Sequence, residues 1–311
     1  MKKVESEKYM EKIRINAKTI PVFEEFLPKV NNGFKHIEIQ LIHSFLTESE
    51  YNDTKKAIDE LNVDISVVHT PLIKGNKITG DIALNHLVSD EIYNMFEDTC
   101  KYAEYISEIE NRRIKVVVHN NNSKLDLEET RIIPEKIGPK IKNTLEKYKN
   151  VDLAIENSCA TDFGRFKTVF DMDDVTFAVK QLNEVITGKK RVYTLLDTCH
   201  LMMSYEAWRR MSQEDLIDFD RTFKMATDGE KLGLIHLNNM WDNGLKQDHG
   251  RPFYIEHEGD LEKLDKIMKA YQKYTDCEIT IEVAEEDYLG TPKNILRTKD
   301  ALQKLGYELD C

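Results

Sequence analysis

Eight short runs of aliphatic and β-branched residues recur along the chain. Each is followed by a longer stretch with helical spacing, and this alternation constrains the fold more than any other feature. The strand-like runs are Ile13–Ala17, His36–Leu41, Asp64–His69, Ile114–His119, Val151–Glu156, Val192–Asp197, Leu232–Leu237 and Glu278–Val283. Most are continuously apolar, as expected of parallel strands buried on both faces. Between them the spacing predicts helices over Val22–Val30, Asp53–Leu61, Asp90–Glu110, Lys136–Tyr148, Asp174–Ile186, Gln213–Thr227, Leu261–Tyr274 and Asn294–Leu305. Pro21 suits a first helical turn, and Gly33, Gly188, Gly229 and Gly306 follow helix ends, where glycine accepts a left-handed backbone.

Eight βα units with no linker and no shift in composition predict an α/β chain folded as a (β/α)8 TIM barrel, one domain over residues 1–311. An open dinucleotide-binding sheet would want a glycine-rich first βα turn, and no G-x-G-x-x-G occurs. The chain shows no apolar run of transmembrane length, and MKKVESEKYMEKIRIN lacks the apolar segment of a secretory signal. Five scattered cysteines without a C-x-x-C pair read as free thiols, which points to a reducing cytoplasm. A net charge of −12 argues against a broad nucleic-acid surface and suits a protein that concentrates divalent cations. The sequence specifies no oligomeric state.

Barrel enzymes place their chemistry where strands end and βα loops begin. The second run carries Glu38, and the next six end in His69, His119, Glu156, Asp197 (with His200 one turn on), His236 and Glu282. Asp248 and His249 follow in KQDHGRPF. A single histidine at a strand end is more often a hydrogen-bonded core residue than a ligand. Cys159 and Cys199 read as small buried residues, and His36, His43, His86 and His257 as surface or loop residues. The set is stronger than its members. Acid or imidazole at the ends of six successive apolar strands is hard to produce by packing alone. Converging carboxylates repel one another unless a cation sits among them. Imidazole and carboxylate together suit a divalent metal. Carboxylates tilt toward Mn²⁺, with Mg²⁺ or Co²⁺ compatible, and the extra histidines tilt toward Zn²⁺.

The ordered series His69, His119, Glu156, Asp197-x-x-His200, His236, Glu282 resembles the xylose isomerase-like superfamily. That superfamily holds sugar isomerases and epimerases together with endonuclease IV-type AP endonucleases. The resemblance implies a metal core of Glu156, Asp197, His236 and Glu282. Asp197-Thr198-Cys199-His200 is similar to the DTCH motif of the endonuclease branch. In that branch His69, His119, His200, Asp248 and His249 would be additional ligands. The chain departs from the branch at Asn239-Met240 and in the contracted Asp248-His249, and it lacks evident DNA-penetrating loops after the second strand. Glu38 in HIEIQL and the HGRPF segment resemble the isomerase branch instead, where Gln247 stands in place of a usual Asp.

The first reading is therefore an isomerase or epimerase of a sugar or sugar phosphate. Glu156 and Glu282 would pass a proton to and from a substrate carbon, with His200 assisting. Glu38, His69, His119 and Arg251 would bind the substrate. The alternative is a multi-zinc phosphodiesterase acting on an AP site or a small phosphodiester, and only there is nucleic acid a partner. No membrane partner is expected. A barrel that binds without turnover leaves the full carboxylate set unexplained. A Schiff-base aldolase is disfavoured because no lysine falls at the end of a predicted strand.

Overall fold

The computed structural model describes residues 12–43, 45–74, 79–120, 127–158, 172–186, 191–204, 217–228, 231–242 and 247–311, with backbone alone for 72–74, 79–80, 127–130, 242 and 247–248. The predicted strands become β1 (Ile13–Thr19), β2 (His36–Gln40), β3 (Asp64–His69), β4 (Ile114–His119), β5 (Val151–Glu156), β6 (Val192–Asp197), β7 (Leu232–Leu237) and β8 (Glu278–Ile281). Each pairs in parallel with the next, and β8 pairs with β1, closing an eight-stranded barrel. A short strand, Leu309–Asp310, adds to β1 at Ile13 and Arg14.

The helices are α1 (Phe23–Asn31), α2 (Glu48–Leu61), α3 (Asp90–Glu110), α4 (Leu127–Lys147), α5 (Met172–Val185), α6 (Phe219–Asp228), α7 (Glu258–Tyr274) and α8 (Lys293–Lys304). Residues 198–204, just past β6, are helical as well. α2 and α4 begin five and nine residues earlier than their spacing predicts. α2 starts at a capping box in which Thr47 accepts from the Glu50 N–H and Glu50 accepts from the Thr47 N–H. α4 carries Pro134 and Pro139 inside it, and interior prolines read in a sequence as breaks. Gly33 and Gly306 adopt positive φ after α1 and α8, as predicted. The expected Gly188 and Gly229 lie outside the described residues, as do Cys159 and the expected helix start at Gln213. Among the described residues no helix is long and apolar enough to cross a membrane. Cys100, Cys199, Cys277 and Cys311 are free thiols.

Alternation along the strands divides their side chains between two environments. Ile15, Ile37, Ile65, Val116, Leu153, Ile235 and Ile279 face outward and pack with Phe26, Phe96, Leu145, Val179, Phe223, Met268 and Leu302 of the helices, all essentially inaccessible. Burying each such side chain contributes roughly 1.5–3 kcal/mol. The inward residues form three layers. Val67, Val117, Ala154, Leu195 and Leu234 make an apolar middle layer on β3 to β7, and buried Asn16 and Thr280 complete it on β1 and β8. Below it, Arg14, Asp64, Lys115 and Glu278 interlock as ion pairs, and Asp152 pairs with Arg113. His36, which reads from sequence as a surface or loop residue, is buried in β2 and pairs with Asp64 and Asp310. The top layer holds the candidate site.

Candidate metal centre

The strand register assembles the site. Parallel pairing places His119 beside Glu156, Asp197 beside His236, and Lys18 beside Glu38, one strand spacing apart. Inward-facing ends therefore meet at one rim of the lumen. Glu38, His69, Glu156, Asp197 and His236 are fully or almost fully buried there, while Glu282 keeps 17% of its side chain exposed.

Donor atoms converge in three groups: His69, His119 and Glu156; Glu156, Asp197, His236 and Glu282; and Asp197, His200 and His249. Within each group the atoms lie within 4.8 Å of one another. Glu156 belongs to the first two groups and Asp197 to the last two. Glu156 Oε2 lies 3.3 Å from His69 Nε2 and 3.1 Å from His119 Nε2, and its Oε1 lies 3.2 Å from His236 Nδ1. His249 Nε2 is 3.4 Å from Asp197 Oδ2, and Glu282 Oε2 is 2.5 Å from His236 Nδ1.

These side chains fit a metal on three counts. Ligands held about 2.0–2.1 Å from one tetrahedral ion sit about 3.3 Å apart, close to most of the separations above. The rings are also oriented from behind. His69 Nδ1–H donates to the Thr70 carbonyl (3.0 Å), and His200 Nδ1–H donates to the Asn157 carbonyl (2.8 Å). His236 Nε2–H donates to Glu38 (3.0 Å). His69 and His236 thus turn their other nitrogen toward Glu156, the usual support for a ligating histidine. Finally, Glu282 Oε2 lacks a well-aligned hydrogen-bond donor despite its burial.

The electrostatics follow from this crowding. Burial opposes charge on Glu156, but the His119 and His236 rings hold its carboxyl well below the usual range. Burial likewise opposes charge on Glu282, and Lys18 and His236 outweigh it. His119 is disfavoured as a cation by burial, yet Glu156 and Asp81 push its pKa up to about 9. A metal and a proton compete for such a nitrogen, so ligation releases protons.

Several placements differ from the sequence-based expectation. Glu38 was expected at the substrate but lies behind His236, accepting from that ring and from Thr280 Oγ1 at 2.7 Å. Arg251 was also expected at the substrate. Its guanidinium instead pairs with Asp260 at 2.8 Å and donates to His257 Nδ1 at 2.9 Å, fastening the hairpin after β7 to α7. The side chain of Asp248 lies outside the described residues. His249 does reach the centre, because its hairpin (Asn239–Asp242 with Gln247–Arg251) approaches the end of β8 closely. Gly250 there has φ +84°, its carbonyl accepts from Ala284 N–H at 2.8 Å, and a Cβ would lie 2.9 Å from that nitrogen.

Other members of the site were not anticipated. Asn157 and Asn238 hold Asp197. Asn157 Oδ1 accepts from the Asp197 N–H (2.6 Å), and Asn238 Nδ2 donates to its Oδ2 (2.9 Å). Their adjacency to the ligand candidates in ENS and HLNN was the available signal. Asp81 stands 3.6 Å from His119 Nε2 because residues 82–83 run along the end of β4. Lys18 is inside the site because β1 continues to Thr19, past the predicted end at Ala17. Its Nζ is 2.5 Å from Glu282 and 3.4 Å from Glu38. Burial would favour a neutral amine, but these carboxylates keep it an ammonium, so a Schiff-base role stays disfavoured for a new reason.

Residues 30–305 match the family described as the xylose isomerase-like TIM barrel. No curated protein matches the chain in sequence. Among solved structures, the IolI protein with a bound zinc atom is 13% identical, covering 96% of this chain and 100% of that one, with a TM-score of 0.64. D-allulose 3-epimerase from Methylomonas sp. in complex with D-allulose is 11% identical, covering 95% and 98%, with a TM-score of 0.58. An AP endonuclease, family 2, from Brucella melitensis is 11% identical, covering 91% and 96%, with a TM-score of 0.56. At these identities the likeness is one of fold. With the barrel closed and the family match spanning most of its length, the chain is a member of the xylose isomerase-like TIM-barrel family.

Proposed function

We propose that the chain is a metal-dependent phosphodiester hydrolase with a multinuclear, zinc-type centre. One observation carries this reading: the two oxygens of Glu156 face different imidazoles, Oε2 toward His69 and His119 and Oε1 toward His236. Such a carboxylate would serve two ion sites, whereas a single-ion isomerase would use His69 and His119 only to bind substrate. His69, His119 and Glu156 would hold one ion, and Glu156, Asp197, His236 and Glu282 a second. Asp197, His200 and His249 would hold a third, with Asp248 a further candidate. The share of imidazole favours Zn²⁺ over Mn²⁺, Mg²⁺ or Co²⁺. Such ions, when bound, polarise phosphate oxygens and lower the pKa of water.

The protein's own groups do the rest. Glu38 fixes the His236 ring, and Asn157 and Asn238 fix Asp197, so the acceptors need little reorganisation. The net charge of −12 favours a small phosphodiester over an extended nucleic acid.

Isomerisation or epimerisation of a sugar or sugar phosphate is the second reading. It is favoured by Glu282, which lines a cavity beside the centre and faces the same His236 nitrogen as Glu156. Two carboxylates so disposed suit proton transfer at carbon. The test is metal content per chain by elemental mass spectrometry, with turnover of bis(p-nitrophenyl) phosphate and of ketoses. Two or three ions with phosphodiester hydrolysis support the proposal. A single ion with ketose isomerisation or epimerisation overturns it.

A further inference from the structure

A cavity of about 420 Å³ opens beside Glu282, and its lining combines charged and apolar side chains. Lys18, His249, Glu25 and Glu282 line it together with Ile20, Ile42 and Tyr288. Tyr288 is 46% exposed, so its ring is open to a ligand. An ammonium has three N–H donors. Lys18 spends one on Glu282, and among the described residues Glu38 Oε1, at 3.4 Å, offers the second carboxylate contact. At least one donor therefore remains for the cavity that Lys18 lines. The guanidinium expected to serve a substrate, that of Arg251, is committed to Asp260.

We propose that Lys18 anchors a substrate phosphate oxygen in this cavity, and that the wall of Ile20, Ile42 and Tyr288 takes an aromatic or similarly flat apolar group borne by that phosphate. The substrate class is then a small phosphate ester with an aryl-like or base-like substituent. This deepens the hydrolase reading and rests on it. Lys18 touches substrate, whereas Glu38 acts through His236.

The test is calorimetric titration of the metal-loaded protein with inorganic phosphate and with phenyl phosphate, with metal content measured alongside. Wild type should bind phenyl phosphate about fivefold more tightly than phosphate, reflecting the apolar wall. Lys18→Met should weaken both ligands about tenfold with metal content unchanged. Tyr288→Ala should remove the phenyl advantage and leave phosphate binding intact. Lys18→Gln, which keeps a polar head, replaces Lys18→Met if that variant fails to fold, and should weaken both ligands in the same direction. Unaltered binding in the folded lysine variant overturns the anchor, as does a loss of metal that accounts for weaker binding. Wild type that binds neither ligand overturns it too. If phenyl phosphate binds through Lys18 but no phosphodiester is hydrolysed, the anchor stands and the hydrolase reading falls. If hydrolysis is retained in a lysine variant whose phosphate binding is unchanged, only the anchor falls.

Discussion

The two polar ends of the barrel lumen are built from similar side-chain classes, with an apolar layer between them on β3 to β7, yet they are opposites in chemistry. At the bottom, cations with no lone pairs face carboxylates: Lys115 and Arg14 with Glu278, Arg113 and Arg191 with Asp152, and Arg112 with Asp64. Each of these carboxylates faces a permanent cation, so the layer is a plug. At the top, carboxylates face imidazoles whose other nitrogens are already tied, so acceptors converge on acceptors unless protons or ions intervene. Burial and polarity do not distinguish a site from a plug. The kind of group that faces each carboxylate does.

Four experiments would break or sharpen that contrast. Glu156→Gln should have the largest effect, removing the shared carboxylate from two donor groups. Turnover should fall on the order of 10³-fold or more with the thermal midpoint little changed. Full activity with normal metal content would sink both catalytic readings. Asn238→Ala should come next, because it frees Asp197 to swing. Metal affinity should drop roughly 10–100-fold in a chelator competition assay, and unchanged affinity would show that Asp197 needs no such support.

Glu278→Gln should leave metal content and turnover intact and cost stability instead. Denaturant titration should show a loss of about 2 kcal/mol, less than for a fully buried pair because Arg14 and Lys115 keep some solvent contact. A loss of metal in this variant would mean that the two ends are coupled. The smallest effect concerns acid. Burial opposes ionisation of Glu278, but Lys115, Ser66 and Asn16 hold its pKa at about 2. A carboxyl lowered on folding contributes stability above its unfolded value of about 4.3. That contribution is lost as pH falls from there toward 2. Wild type should soften across this window, and Glu278→Gln should show a flatter profile.

The barrel was legible because eight apolar runs left few other solutions, and the register then placed the acid and imidazole ends together. What stayed hidden was local. A strand edge placed at Ala17 concealed Lys18, since a strand read from apolar character ends at its last apolar residue. Glu38 and Arg251 carried the right chemistry for a substrate, but neighbours only the fold supplies, His236 and Asp260, claim them. His36 looked like a surface residue because its partners, Asp64 and Asp310, are far away in sequence. Asp81 carried no sequence signal, because it ends a short hairpin strand (Thr79–Asp81) in the connection after β3 rather than a barrel strand.

The partners of the three oriented rings have a consequence for how the centre tolerates mutation. Two rings, His69 and His200, hang from main-chain carbonyls, which every amino acid possesses. No exchange at position 70 or 157 deletes those anchors, so random substitution cannot readily release either ring. His236 hangs from the side chain of Glu38, which one codon change can remove. Variation in a library of this chain should therefore reach the centre most easily through position 38, and a redesign for another ion would begin there.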